Sequence, residues 1–247
     1  MKPKTDQEVA LMRTGGRILA TVLEKLRLAV RPGISGIELD KLAAQELKAL
    51  GGEPAFLGYE GYPNVLCVSV NDVVVHGLPN AQPLQAGDVV SLDFGVRYQG
   101  LITDGCISIP VEQVDPQTAQ LVADTGQALQ IGIGAAHAGQ AVRAIGQSIS
   151  AYISPKGYGI VRDLVGHGVG HDLHEPPEVP HYDDPTAKFV LKAGMTIAIE
   201  PMITLGTHRV SLTDDGWSIK TVDSSRAAQF EHTVLITEGE AEVLTKL

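Results

Sequence analysis

Near the start of the chain, apolar positions recur with the period of an α-helix. The stretch TDQEVALMRTGGRILATVLEKL opens with Thr5 and Glu8 at the spacing of a capping box, and it predicts a long first helix. A second capping box, Ser35 and Glu38, precedes an apolar stripe that stops at Gly51 and Gly52. Two consecutive helices are therefore predicted.

Further along, the pattern changes to short runs rich in β-branched residues. Strands are predicted at residues 65–70, 88–96 and 101–109. Asp115 followed by Pro116 has the order of an N-cap and a first helical residue, which predicts a helix through residues 118–131. Another helix is predicted around residues 141–153. The chain is therefore expected to mix α and β structure.

Two similar segments suggest an internal repeat. LQAGDVVSLD, residues 84–93, matches LKAGMTIAIE, residues 191–200; both end in a carboxylate and follow two predicted helices. The repeat predicts an α+β fold with duplicated helix–helix–strand halves, about residues 5–110 and 115–240. We expect residues 1–247 to form one domain with its site where the halves meet. Chance similarity over ten residues is the alternative.

Composition narrows the function classes. Lys and Arg number 19 against 29 Asp and Glu, and the formal charge of −10 disfavours direct recognition of nucleic acid. Two cysteines fit a reducing compartment. The sequence lacks a signal-peptide pattern and any uninterrupted apolar run of about 18 residues. We therefore expect a cytoplasmic protein with no membrane partner.

Asp93 and Asp104 lie in two predicted strands that are joined near residues 97–100. A loop at Tyr98–Gln99 would place them directly opposite each other, and a loop at Gln99–Gly100 would make them diagonal neighbours. Both registers keep the carboxylates on one face of the sheet. Burial in apolar strands makes two such charges costly unless a cation compensates them. The alternative is a solvent-facing strand pair with two ordinary charges.

Glu200 and Glu231 also interrupt apolar strand patterns, MTIAIEPMI and AAQFEHTVLI. In GHGVGHDLHEPP, glycines at alternating positions predict an extended segment with one bare face and His167 on the opposite face. A lone histidine is more often structural, but four carboxylates and one imidazole suit a divalent cation. So many carboxylates favour two ions, which can hold a bridging hydroxide and polarise a carbonyl group.

Five motifs, in order, resemble the bacterial type I methionine aminopeptidases of the pita-bread metallopeptidase superfamily. They are NDVVVHGLP, SLDFG followed by Asp104, GHGVGHDLHEPP, AIEPM and FEHTVLIT. The resemblance implies a pita-bread fold with a central antiparallel sheet. It also implies a set of metal ligands, in which Asp104 and Glu231 bridge the ions: Asp93, Asp104, His167, Glu200 and Glu231.

The resemblance also assigns catalytic and substrate-binding roles. His76 and His174 correspond to the family's catalytic histidines, Glu200 is expected to accept a proton, and His171 is expected to have no role. Positions that line the family's methionine pocket correspond to Phe56, Tyr59, Tyr62, Cys67, Leu173 and Trp217, and together with His76 and His174 they form the expected substrate-binding set. Ordinary loop packing for the two tyrosines and a small buried hydrophobe at Cys67 are the alternatives. Trp217 is expected as an exposed ring at a hairpin tip.

The implied function is removal of the initiator methionine from nascent proteins when the second residue is small. The cofactor is expected to be two divalent ions (Co, Mn, Fe, Zn or Ni). A monomer is expected, and a transient ribosome contact is left open. One alternative is an Xaa-Pro aminopeptidase or dipeptidase, but those relatives usually carry an N-terminal domain before helices that here begin near Met1. The other is a non-catalytic pita-bread binding protein, a class that typically lacks some ligands.

Overall fold

The computed structural model describes residues 2–247, and these fold into helices packed on antiparallel strands. The helices are α1 (Asp6–Ala29), α2 (Gly36–Ala49), α3 (Pro116–Gly134) and α4 (Arg143–Ile153). Both predicted capping boxes are present, and the Asp115 side chain caps α3 as expected. None of the described helices combines the length and hydropathy needed to cross a membrane.

The strands are short apart from one long hairpin. In chain order they are β1 (Glu53–Pro54), β2 (Leu66–Val70), β3 (Val73–Val75), β4 (Val89–Tyr98), β5 (Leu101–Pro110), β6 (Gly159–Ile160), β7 (Gly166–Gly168), β8 (Glu175–Val179), β9 (Thr196–Ile199), β10 (Met202–Thr204), β11 (Val210–Leu212), β12 (Ile219–Thr221), β13 (Ala227–Gln229), β14 (His232–Leu235) and β15 (Glu242–Val243). They form four hydrogen-bonded sheets, and all pairings among the described residues are antiparallel.

Each half of the chain has its own helix-on-sheet core. In the first half, α1 and α2 bury their apolar faces against β2 and β4, with Leu19, Leu39 and Phe94 fully buried. In the second half, α3 and α4 pack on β9 and β14 through residues such as Ile145 and Ile197. Helices on one face of each sheet leave the other face free to meet the other half.

Equivalent backbone contacts occur in the two repeated segments. Gly87 donates its N–H to the Val111 carbonyl at 2.9 Å, and Gly194 donates to the Ile236 carbonyl at the same distance. Both glycines have positive φ, 93° and 86°, at the turn that starts the strand. The match in turn geometry agrees with the duplicated halves that the sequence predicts.

The halves join along β5 and β14. Glu231 donates its N–H to the Cys106 carbonyl at 2.9 Å, and Cys106 donates in return at 3.4 Å. The Thr233 hydroxyl accepts from the Asp104 N–H and donates to the Asp104 carbonyl, each at 2.9 Å. This seam brings acidic residues from distant parts of the sequence side by side.

Candidate active site

The β4–β5 hairpin fixes the first two carboxylates. Its register pairs Asp93 with Cys106 and Gly95 with Asp104, and its loop is Gln99–Gly100. Both loop residues have positive φ, 48° and 86°, as a two-residue turn between twisted strands requires. Of the two registers that the sequence allowed, the structure has the diagonal one. Both aspartates are buried on the same face, so the solvent-facing alternative is wrong.

Glu200 and Glu231 do not lie inside strands, and here the sequence prediction needs correction. Glu200 follows the end of β9, and the next residue, Pro201, has no N–H to continue the ladder. Glu231 lies between β13 and β14, where its backbone pairs with Cys106 across the seam. These breaks place both side chains, buried, beside the two aspartates.

His167 reaches the same place from β7, which is extended as predicted. A Cβ at Gly166 would overlap the Ala198 carbonyl, so glycine lets β7 approach β9 closely. His167 Nδ1 lies 2.9 Å from the Gly168 carbonyl oxygen, which can only accept, so Nδ1 holds the ring proton. Nε2 is left unprotonated, 3.5 Å from Glu200 Oε1, and is available to bind a cation.

These side chains together have the composition of a metal site. One ligand atom each of Asp104, His167 and Glu231 lie within 4.8 Å of one another. Asp93 Oδ1 and Glu231 Oε1 are buried and have no hydrogen-bond partner. No lysine or arginine is found among the described residues that line the cavity around them. Buried carboxylate oxygens without donors or cationic side chains nearby fit bound divalent cations.

Burial controls the protonation of this cluster. It raises the pKa of Asp104 to about 7, opposed by the hydrogen bond from the Gly105 N–H. Burial raises the pKa of Asp93 and Glu231 well above their usual range, and the charge of Asp104 adds to the shift. Burial, with the nearby His174, lowers the pKa of His167 to about 4. A divalent cation would therefore displace protons from the carboxylates but would find the imidazole already neutral.

The cluster forms one wall of a cavity of about 270 Å³. All residues predicted for the substrate pocket line it: Phe56, Tyr59, Tyr62, Cys67, His76, Leu173, His174 and Trp217. Cys67 lines the cavity and is also buried, so the two readings of this residue are compatible. Trp217 is at the β11–β12 tip but is only partly exposed, because its ring packs edge-to-face on Tyr62 at 5.1 Å.

The other histidines predicted to lie near the site occupy distinct positions. His174 lines the cavity, its Nδ1 is 2.9 Å from the Tyr59 hydroxyl, and its ring contacts that of His167 at 4.4 Å. His171 points away from the cavity, with 58 % of its side chain exposed and Nε2 3.2 Å from Glu8 Oε1. His76 enters from the end of β3, in a left-handed conformation with φ of 57°.

Several residues around the site were missed at the sequence level. His181 is buried and accepts the Glu200 N–H at 3.0 Å, and Gln229 donates to Glu200 Oε2 at 3.3 Å. Glu60 and Glu178 line the cavity. One sequence signal could have identified such residues. A polar residue inside an apolar run, such as Gln229 in AAQF, requires a buried hydrogen-bond partner.

Comparison with known proteins places this arrangement in a family. Residues 10–238 match the model for metallopeptidase family M24. The chain is 40 % identical over 244 residues to methionine aminopeptidase 1 of Bacillus subtilis (strain 168), covering 99 % of this chain and 98 % of that one.

Solved structures agree at the level of the whole chain. The crystal structure of methionine aminopeptidase from Thermotoga maritima matches with a TM-score of 0.98 and 41 % identity, and each chain is fully covered. Prolidase from Pyrococcus furiosus matches at 0.81 with 25 % identity, and 65 % of that longer chain is covered. The pita-bread fold is confirmed, and membership of this family implies dependence on divalent metal. The chain belongs to metallopeptidase family M24 and, within it, to the methionine aminopeptidases.

Proposed function

We propose that the chain is a single-domain methionyl aminopeptidase that removes N-terminal methionine when the second residue is small. The observation that supports it is one cavity in which a buried acidic cluster faces an aromatic and apolar wall. The wall suits the unbranched, polarizable side chain of methionine. The relatives named methionine aminopeptidase support this activity over the Xaa-Pro alternative, and the intact ligand set argues against a non-catalytic binding protein.

In this proposal Asp93, Asp104, His167, Glu200 and Glu231 would hold two divalent ions, and the family resemblance assigns Asp104 and Glu231 to both. Divalent ions at this site would supply Lewis acidity and would lower the pKa of a water molecule. Asp93 Oδ1 and Glu231 Oε1, which have no hydrogen-bond donor, support this assignment.

The chain's own groups orient the substrate and move protons. Glu200 accepts the proton of the attacking water, and Gln229 and His181 hold Glu200 in place. With the Tyr59 hydroxyl donating to Nδ1, His174 holds its proton on Nε2 and donates to the developing oxyanion. His76, which lines the same cavity, contacts the scissile amide. Burial lowers its pKa, which keeps it neutral near pH 7.

A peptide assay on chelated protein tests the proposal. Co, Mn, Fe, Zn or Ni is restored singly, and hydrolysis of Met-Ala-Ser is compared with Met-Lys-Ser and with an Xaa-Pro dipeptide. We expect Met-Ala-Ser to be cleaved best and activity to saturate at two ions per chain. A preference for the Xaa-Pro dipeptide would establish that alternative. Failure to bind any divalent ion would favour a binding protein.

The proposal extends to the cellular setting. The net charge of −10 supports a protein without nucleic-acid specificity, and the two buried, unpaired cysteines support a reducing cytoplasm. We expect a monomer, which sedimentation measures directly. A transient contact with ribosomes is tested by pelleting the chain with purified ribosomes at low and high salt.

A further inference from the structure

Lys4 is a buried cation outside the cavity and has no part in the chemistry described above. Only 1 % of its side chain is exposed, although it lies just before the first helix. A buried lysine requires a partner. Its partner is Glu175, at the first position of β8, with Nζ 3.3 Å from Oε2.

Glu175 organises the loop that precedes it. Its other oxygen, Oε1, accepts the backbone N–H of His171 at 2.6 Å and that of Asp172 at 3.3 Å. The next two residues of that loop, Leu173 and His174, line the cavity. One carboxylate therefore connects a buried cation to the backbone that presents the proposed oxyanion donor.

The fit between Lys4 and this loop is close. A Cβ at Gly170 would overlap Cε of Lys4, so glycine at this position leaves room for the lysine side chain. On its other side, the Lys4 N–H donates to the Gly194 carbonyl at 2.7 Å, in the turn that leads to β9. Lys4 is thus fixed at its backbone and at its charged end.

A second contact joins the same two segments, between His171 and Glu8. Both side chains of that pair reach solvent, and exposed pairs of this kind contribute little. The buried Lys4–Glu175 pair is the stronger candidate for holding the loop, because removing one partner leaves the other charge buried and uncompensated.

We propose that Lys4 and Glu175 are positioning residues, which hold the Gly170–His174 loop so that His174 and Leu173 face the substrate. This inference rests on the proposed function for its effect on turnover. Its effect on the loop does not depend on that function. The competing explanation is that the pair only braces the N-terminal segment against the fold.

The test compares Lys4→Met with Lys2→Met, which removes the same charge from an exposed site. For Lys4→Met we expect hydrogen exchange at the His171 and Asp172 amides to rise about tenfold and the His174 imidazole resonances to shift. We expect kcat for Met-Ala-Ser to fall about tenfold while KM changes less than about threefold, because a misplaced donor weakens the transition state. Lys2→Met should match the wild type in every measurement.

Glu175→Gln is the second variant, because it keeps an oxygen for the two amides and removes only the charge. If Lys4→Met does not fold, Glu175→Gln decides whether the pair positions the loop or only stabilises the N-terminal segment. A lower Tm with loop exchange, His174 resonances and kcat unchanged would show a mere brace and overturn the proposal. If the wild type does not hydrolyse Met-Ala-Ser, the proposed function fails, and loop exchange and the His174 resonances alone decide the positioning role.

Discussion

The two halves of the molecule begin their strands with the same turn and then approach the cavity differently. The first half enters with β4 and β5, an unbroken hairpin of ten-residue strands. The second half enters with strands of three or four residues that break at Glu200 and again at Glu231. The segment with three histidines, His167 on β7 and His171 and His174 in the loop that follows, lies in the second half only.

The difference shows how a repeated unit builds an asymmetric site. The regular hairpin fixes Asp93 and Asp104 through the pleat of the sheet alone. The second half gives up ladder hydrogen bonds at the breaks and replaces them with contacts from His181 and Gln229 and across the seam to Cys106. In the proposed site, rigid spacing of two carboxylates therefore comes from the first half, and the variety of proposed metal-ligand and proton-transfer groups comes from the second.

The largest loss of activity is expected from a substitution at the seam between β5 and β14. Asp104→Asn keeps the shape of the side chain but removes a carboxylate that the proposal shares between two ions. We expect kcat to fall at least about a thousandfold and the bound metal to drop below two ions per chain. Steady-state kinetics and metal analysis measure both, with the exposed Asp214→Asn as control. Near-normal kcat in Asp104→Asn would refute the metal-site assignment.

An intermediate loss of activity is expected in the loop of residues 170–174, which contains His171 and His174. His174→Ala should lower kcat about a hundredfold through loss of the oxyanion donor, with metal content retained. His171→Ala is the matched control in the same loop, since that side chain points outward toward Glu8. It should keep kcat within about twofold. Equal losses in the two variants would mean that the loop acts only through its backbone.

The smallest expected effect is on stability and not on activity. It concerns His232, on β14 beside the seam. Burial, with nearby Lys246, lowers its pKa to about 4, and Nδ1 lies 2.9 Å from the Thr245 hydroxyl. His232 therefore takes up a proton near pH 6.5 in the unfolded chain but only near pH 4 in the folded chain. Its contribution to the free energy of unfolding is fully present above pH 6.5 and is lost as the pH falls toward 4.

His232→Gln should remove this decline. We expect wild type to lose roughly 2 kcal/mol more than the variant between pH 6.5 and about 4.5, because each pKa unit corresponds to about 1.4 kcal/mol. Urea unfolding of metal-free protein at the two pH values measures the difference. His208→Gln, at a partly exposed position, should keep the wild-type pH dependence. Identical curves for wild type and His232→Gln would contradict the assignment.

Helix starts, the hairpin and the extended glycine segment were predictable because they depend on neighbours in sequence. Thr5 with Glu8, and Ser35 with Glu38, satisfy each other within one turn of helix. The hairpin register stayed ambiguous because Tyr98–Gln99 and Gln99–Gly100 both make short loops. Gly100, at positive φ in the second loop position, favours the observed register.

The sequence by itself determined which groups are chemically out of place: four carboxylates in apolar surroundings, histidines among glycines, and two similar segments. An ionised side chain within an apolar run is costly to bury without a partner, and that mismatch can be read along the chain. Tertiary structure alone decided where these groups meet. The contacts of His181 and Gln229 with Glu200 join residues far apart in sequence within the second half, and the Lys4–Glu175 pair joins the two halves. Such contacts form only when the chain packs in three dimensions.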